Sequence, residues 1–224
     1  MLIVLEGPEA VGKSTQMRRL VDWLRLEGHD VLAVREPGGT AVGDELRRIV
    51  LDPASHLSPR TEALLFMASR AELVEQVIRP ALAKASMVLV DRFFLSTYAY
   101  QIAGRGLDAG DVRAANHFAT GGLVPDLTLL MRLPLAESLR RLEARRAGPD
   151  RMEQSSHDFH ARVTAAFDEF AGESWQGAHP ECGRIVGIDA TGSEDEVFAR
   201  LSGAVRAAWP GSFPHRSAQT HESP

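Results

Sequence analysis

Lys13 and Ser14 end the run Gly7-Pro8-Glu9-Ala10-Val11-Gly12-Lys13-Ser14, which fits the spacing G-x-x-x-x-G-K-[ST]. Glycines at that separation let the backbone curl so that successive N–H groups face one anion. A lysine at this place reaches terminal phosphates, and the serine hydroxyl can ligate Mg²⁺. The context supports the motif. Residues 2–5 are an unbroken apolar stretch, the pattern of a strand buried on both faces, and a helical pattern follows the run directly. That helix would add its positive N-terminal end. Residues 7–15, ending at Thr15, are therefore expected to hold a nucleoside triphosphate.

Other residues could serve the same chemistry. Asp91 and Arg92 follow a third apolar run at residues 87–90. A carboxylate at that strand end, across from a phosphate loop, can hold Mg²⁺ directly or through water, and the arginine can neutralise a further phosphate. Arg35 and Glu36 open the loop Arg35-Glu36-Pro37-Gly38-Gly39-Thr40 at the end of the second strand pattern. Ligands bind at such carboxyl ends, although taken alone the two residues also fit a surface ion pair. Phe66 and Arg70 share a helix face and can sandwich and read a planar base. The same spacing also fits a core phenylalanine with its arginine reaching out to solvent. Arg140, Arg141, Arg145, Arg146 and Arg151 surround Gly148 and Pro149. With Glu137 and Glu143 they can form a salt-bridged solvent face, but the break at residues 147–150 equally suggests a hinged flap that carries positive charge onto phosphates.

The elements that must position these groups alternate. Strand patterns lie at residues 2–5, 31–34, 87–90, 127–133 and 184–188. Helical patterns lie at 13–27, 42–51, 59–84, 109–119, 156–170 and 194–208, and another starts near 93–101. Ser58 and Pro59 mark the start of the long third helix, and Pro80 is expected to kink it. This order predicts one α/β domain over residues 1–208, with about five parallel strands flanked by helices and an arginine-rich lid at about 142–153. Residues 209–224 are expected to form a disordered tail. The 224 residues suffice for one substantial core, and a net charge of −5 argues against a nucleic-acid partner. Cys182 is the only cysteine, which excludes an intrachain disulfide and a cysteine metal cluster. No signal-peptide pattern and no apolar run near ~18 residues is present, so a cytoplasmic protein is expected.

Two classes of function fit a triphosphate loop. One is a kinase that moves the γ-phosphoryl group to a small acceptor, and the other is a slow switch or partitioning ATPase with protein partners. A kinase needs a second anion clamp and a lid that excludes water. Arg35 with Arg92, Phe66 with Arg70 and the hinged arginine group favour the kinase.

Over roughly residues 1–205 the chain resembles the bacterial thymidylate kinases. The resemblance rests on the phosphate loop, Arg35-Glu36-Pro37-Gly38-Gly39-Thr40, Phe66 with Arg70, Asp91-Arg92 leading to Ala99-Tyr100-Gln101, Gly104-Arg105-Gly106, and Asp150-Arg151-Met152-Glu153. It implies ATP with Mg²⁺ as donor, thymidine monophosphate (dTMP) as acceptor, direct in-line transfer, and a homodimer with residues 59–84 as a candidate interface. Arg35 and Arg92 would grip the acceptor phosphate, Phe66 would stack on thymine, and Arg70 would donate to a thymine carbonyl. Tyr100 would crowd a ribose 2′-hydroxyl, Thr97 and Gln101 would bond the base, and Glu9 would lie near the acceptor sugar and phosphate. Thr191 would border the adenine. Some members carry an arginine where this chain has Ala10, and the others supply it from the lid, which points here to Arg145, Arg146 or Arg151. A kinase for another nucleoside monophosphate is the alternative on the same fold.

Overall fold

The computed structural model describes residues 1–144, 148 and 150–213. Strand β1 (Leu2–Glu6) is buried along its whole length and passes through the glycine loop into helix α1 (Lys13–Leu26). Strand β2 (Val31–Arg35) follows, then α2 (Ala41–Leu51) and α3 (Pro59–Leu73). Thr40 and Ser58 cap these two helices, each accepting from the backbone N–H three residues on. The effect of Pro80 falls just upstream of it. The chain widens into a π-helical turn, Val74–Ile78, where the Arg79 N–H reaches Val74 O, and then resumes as α4 (Arg79–Ala83).

Strand β3 (Met87–Asp91) leads to the short α5 (Phe94–Thr97), a second π-helical stretch, Tyr98–Gly104, and α6 (Ala109–Thr120). Strand β4 (Leu127–Arg132), α7 (Leu135–Glu143), α8 (His157–Phe170), α9 (Glu173–Ala178), β5 (Ile185–Asp189) and α10 (Glu194–Ala208) complete the described chain. Ser193 and Glu196 form a reciprocal capping box at the start of α10.

Among the described residues the five strands form one parallel sheet in the order β2-β3-β1-β4-β5. Side chains alternate across it. Leu2, Val4, Val88 and Val90 face a core closed by α3, α6 and α8, while Ile3, Leu5, Leu89 and Leu129 face one closed by α1 and α10. As an edge strand β2 is covered less, and Ala33 and Arg35 are exposed.

Packing also runs further than the expected start of the tail at residue 209. Phe213 is buried, with its ring 5.2 Å from that of Trp23 in a stacked arrangement. Residues 214–224 of that expected tail lie outside the described residues. The buried Cys182 thiol has its pKa pushed up by burial, which fits a packing role. Among the described residues no helix is long and apolar enough to cross a membrane.

Register places the functional ends in a row. Leu5 of β1 lies opposite Asp91 of β3, and Asp91 lies opposite Arg35 of β2. The carboxyl ends of three neighbouring strands therefore open into one crevice, as expected of an open parallel sheet.

Candidate active site

That crevice holds a cavity of about 350 Å³ that joins the phosphate loop to the loop after β2, the start of α5 and the face of α3. Close approach dictates the loop's glycines. A Cβ on Gly7 would sit 2.3 Å from the Met131 carbonyl oxygen, and Gly12 has φ of 97°, in the left-handed region. From the α7 side, Ser138 Oγ donates to Glu9 O at 2.7 Å and pins the outside of the loop.

Lys13 folds back over the loop, and its Nζ donates to Gly7 O at 3.0 Å and Pro8 O at 2.8 Å. Burial, helped by the neighbouring Arg92 charge, lowers its pKa to about 8. Its ammonium is thus desolvated, bonded to carbonyl oxygens and partly balanced by the charges of Glu9, Asp91 and Glu6, a poised partner for phosphate oxygens. Ser14 and Asp91 line the same cavity, and Asp91 Oδ1 is buried with no hydrogen-bond partner among the described residues. An orphaned carboxylate oxygen near a hydroxyl and a triphosphate loop suits a hard divalent ion that keeps several waters. No cluster of three metal-ligating side chains occurs among the described residues, so such an ion would depend on substrate and water for its other ligands.

Arg92 sits at the junction between the phosphate loop and the rest of the cavity. Its Nη1 donates to Gly7 O at 3.1 Å and Ser96 Oγ at 2.9 Å, and its Nη2 donates to Glu9 Oε1 at 2.7 Å and Tyr100 Oη at 3.2 Å. Tyr100 Oη in turn donates to Glu9 Oε1 at 2.8 Å. Burial, the largest single influence, would lower the Arg92 pKa, but the surrounding charges of Glu9, Tyr100, Asp91 and Glu6 together outweigh it and the net shift is upward.

Arg92 is also one of three non-glycine residues with positive φ among the described residues, at 73°. Glu6 braces that turn. Its fully buried carboxylate accepts from Phe93 N at 2.7 Å, Ser96 N at 3.1 Å and Ser96 Oγ at 2.6 Å. Sequence reasoning did not select Glu6. The available signal was an acidic residue closing an otherwise apolar strand directly before the loop glycine.

Arg35 is exposed at the cavity wall and makes no hydrogen bond or ion pair to the described residues, so its guanidinium is available to an anion. Arg47 joins it and was also missed, because a helical arginine followed by Arg48 reads as a solvent face. Its Nη1 donates to Pro37 O at 3.0 Å, and burial together with the Arg35 charge lowers its pKa. Arg35, Arg47 and Arg92 thus line one cavity with the loop lysine, together with Arg70.

Phe66 and Arg70 line this cavity too, as their shared helix face requires. Arg70 is buried, and all five of its N–H groups are engaged. Its Nε and Nη2 grip Glu36 Oε2 at 2.7 Å each, and Nη2 also donates to Phe93 O at 2.8 Å. Its Nη1 donates to Thr97 Oγ1 at 2.8 Å and to Asn116 Oδ1. This corrects the surface ion-pair reading of Glu36, whose partner is the buried Arg70 rather than Arg35. A base carbonyl reaching Arg70 must share one of these donors.

Burial pushes the Glu36 carboxyl up to about 7 against the pull of Arg70. A folded-state value raised from 4.5 means the folded protein holds this proton more tightly. The associated stability is present below 4.5 and is lost as pH rises through about 7. Glu36→Gln removes this dependence, so its melting temperature should gain on the wild type between about pH 5.5 and about pH 8. Thermal melts of both proteins across that range test this, and a constant difference would contradict it.

The remaining site expectations divide. Thr97, Tyr100 and Gln101 line the cavity with Phe66. Thr191 does not. Its N and Oγ1 both bond Asp189 Oδ1 beside the exit of β5, at 2.9 and 2.8 Å. Arg145 and Arg146 lie outside the described residues.

Arg151 is tied elsewhere. Its Nε donates to Val50 O at 2.7 Å, its Nη1 to Glu62 Oε2 at 2.8 Å, and its backbone N–H to Leu51 O at 3.1 Å. Asp150, Met152 and Glu153 line the cavity but Arg151 does not, so it anchors the segment to α2 and α3.

A triphosphate loop that shares one cavity with a second cationic clamp and an aromatic wall defines a P-loop kinase domain for nucleotides. The family model "Thymidylate kinase" matches residues 5–199, and the chain belongs to the thymidylate kinase family. It is 47% identical over 201 residues to a thymidylate kinase of Clavibacter michiganensis subsp. michiganensis, covering 90% of this chain and 92% of that one. It is 47% identical over 205 residues to one from Deinococcus radiodurans, covering 92% and 96%. With one from Synechococcus sp. strain JA-2-3B'a(2-13) it shares 50% over 212 residues, covering 94% and 96%.

Proposed function

We propose that the chain transfers the γ-phosphoryl group of ATP to dTMP and releases the nucleoside diphosphate. One observation carries this reading: a single cavity of about 350 Å³ is lined by Lys13, Arg35, Arg92 and Phe66. A switch ATPase has no use for a second anion clamp beside an aromatic plate.

In this reading residues 7–15 cradle the triphosphate, and Arg35, Arg47 and Arg92 bind the acceptor phosphate. The acceptor is already largely ionised at neutral pH, so positioning and charge stabilisation suffice and no strong general base is required. Lys13 takes up charge as the phosphoryl group moves in line to the acceptor oxygen. Ser14 and Asp91 would hold Mg²⁺, which when bound neutralises phosphate charge. Phe66 supplies a stacking face for the base, and Tyr100 closes the sugar side.

Ala10 supplies no charge inside the loop and Arg151 is committed to Glu62, so the role of lid arginine is assigned to Arg145 or Arg146. The domain takes in residues 1–208 and extends at least to the buried Phe213, with the lid at about 142–153, in a cytoplasmic enzyme. The exposed Leu64 of α3 and Phe118 of α6 support a homodimer through this face. Sedimentation giving the mass of one chain at micromolar concentration would overturn that assignment.

The decisive assay measures ADP release from ATP and a magnesium salt against a panel of nucleoside monophosphates. Strong stimulation by dTMP alone is expected. Slow hydrolysis indifferent to every acceptor would overturn the kinase reading, and preference for another monophosphate would overturn the thymine assignment.

A further inference from the structure

Glu62 lies in the first turn of α3 and is 1% exposed. Its Oε1 accepts from Gln101 Nε2 at 3.0 Å and Arg105 Nε at 3.1 Å. Its Oε2 accepts from Arg105 Nη2 at 3.0 Å and Arg151 Nη1 at 2.8 Å. An ionised carboxylate offers about four acceptor sites and no donor, so these bonds fill it. Burial alone would raise its carboxyl, but the bonds from Arg105, Gln101 and Arg151 outweigh that and hold it below the usual range. Glu62 is therefore an acceptor throughout neutral pH.

The consequence falls on Gln101. Two ends of its amide can face Glu62, and only the NH₂ end makes a bond. The carbonyl oxygen Oε1 is left as the free end of a buried side chain that lines the cavity beside Phe66 and Thr97, and no described residue donates to it. Orientation of such an amide is normally ambiguous, but here the chemistry of its neighbour decides it.

We propose that Glu62 is a specificity-positioning residue: by accepting from Gln101 it turns the Gln101 carbonyl toward the acceptor base. That selects a pyrimidine whose ring N3 carries a proton, as in thymine and uracil. Cytosine presents a lone pair at N3, which would face the carbonyl oxygen and be rejected. The inference rests on the cavity being the acceptor-nucleotide site.

The test compares kcat/KM for dTMP, dUMP and dCMP in the wild type and in Glu62→Gln. The variant amide keeps the shape but offers both a donor and an acceptor, so it no longer dictates how Gln101 turns. The dTMP to dCMP ratio should fall about tenfold, corresponding to roughly 1.4 kcal/mol, while the dTMP to dUMP ratio stays constant. Equal losses on all three substrates would show a purely structural role and overturn the proposal.

If Glu62→Gln does not fold, Gln101→Leu removes the same carbonyl. The dTMP to dCMP ratio must then fall likewise, and an unchanged ratio overturns the proposal. A wild type stimulated by no monophosphate would instead refute the acceptor-site reading. A dTMP-specific wild type with an unchanged ratio in the variant refutes this inference alone.

Discussion

Lys13→Ala should reduce turnover by about 10³-fold or more, roughly 4 kcal/mol of transition-state stabilisation, while the melting temperature stays within about 3 °C. The two outcomes separate because the side chain contributes to them differently. Among the described residues the Lys13 ammonium bonds only the carbonyls of Gly7 and Pro8, and its pKa is depressed to about 8. A depressed ammonium pKa means that charge is costly in the folded, phosphate-free state. Removing it sacrifices little stability, and water can satisfy the two carbonyls. Charge developing on the transferred phosphoryl group does need the ammonium, since Arg92 already serves Glu9 and Gly7 and a lid arginine would act beside Lys13 rather than replace it. ADP release with dTMP present, paired with thermal melts, checks both parts. Near-normal turnover would remove Lys13 from the reaction.

The second large effect is structural. Arg70→Ala should destabilise the protein by about 3–5 kcal/mol, lowering the melting temperature by roughly 10 °C. Alanine would abandon the buried Glu36 carboxylate together with the acceptors on Thr97, Asn116 and Phe93. Glu36 Oε1 already lacks a partner among the described residues, so loss of Arg70 from Oε2 would leave the whole group unsatisfied. Arg70→Lys should recover only a minor part, because an ammonium cannot span the separate acceptors that the guanidinium fork reaches. Calorimetric or optical melts decide it. A loss below about 1 kcal/mol would mean that the network adds little to stability.

The sequence foretold much of this arrangement for identifiable reasons. The phosphate loop was legible because its glycines, lysine and serine lie within eight residues between a strand and a helix. Asp91-Arg92 was legible because polar residues stopped an apolar run. The five strands could be read in order along the chain, but their order across the sheet could not. Nothing local tells β3 to insert between β1 and β2.

The hidden contacts are those that span long separations. Glu62 meets Arg105 and Arg151, Arg70 meets Asn116, and Glu6 meets Ser96. In each case the buried charge looks, in sequence, like an ordinary helical or strand-end charge. Arg151 shows the converse case, since clustering among arginines reads as phosphate chemistry, whereas the fold ties its side chain to Glu62 and the Val50 carbonyl.

The Arg92–Glu9 pair also bears on which anions can enter. Until an acceptor arrives, Arg92 already has an internal counter-ion at 2.7 Å, with Tyr100 bonded to both. Any incoming anion must compete with a carboxylate that never diffuses away. A chloride ion or a simple carboxylate brings a single charge and loses that contest. A phosphate dianion can accept from Arg92 while Arg35 and Arg47 supply further positive charge, so it gains more from the site than a singly charged ion does. Glu9 thereby acts as a threshold, reserving the site for doubly charged visitors in a solution crowded with single ones.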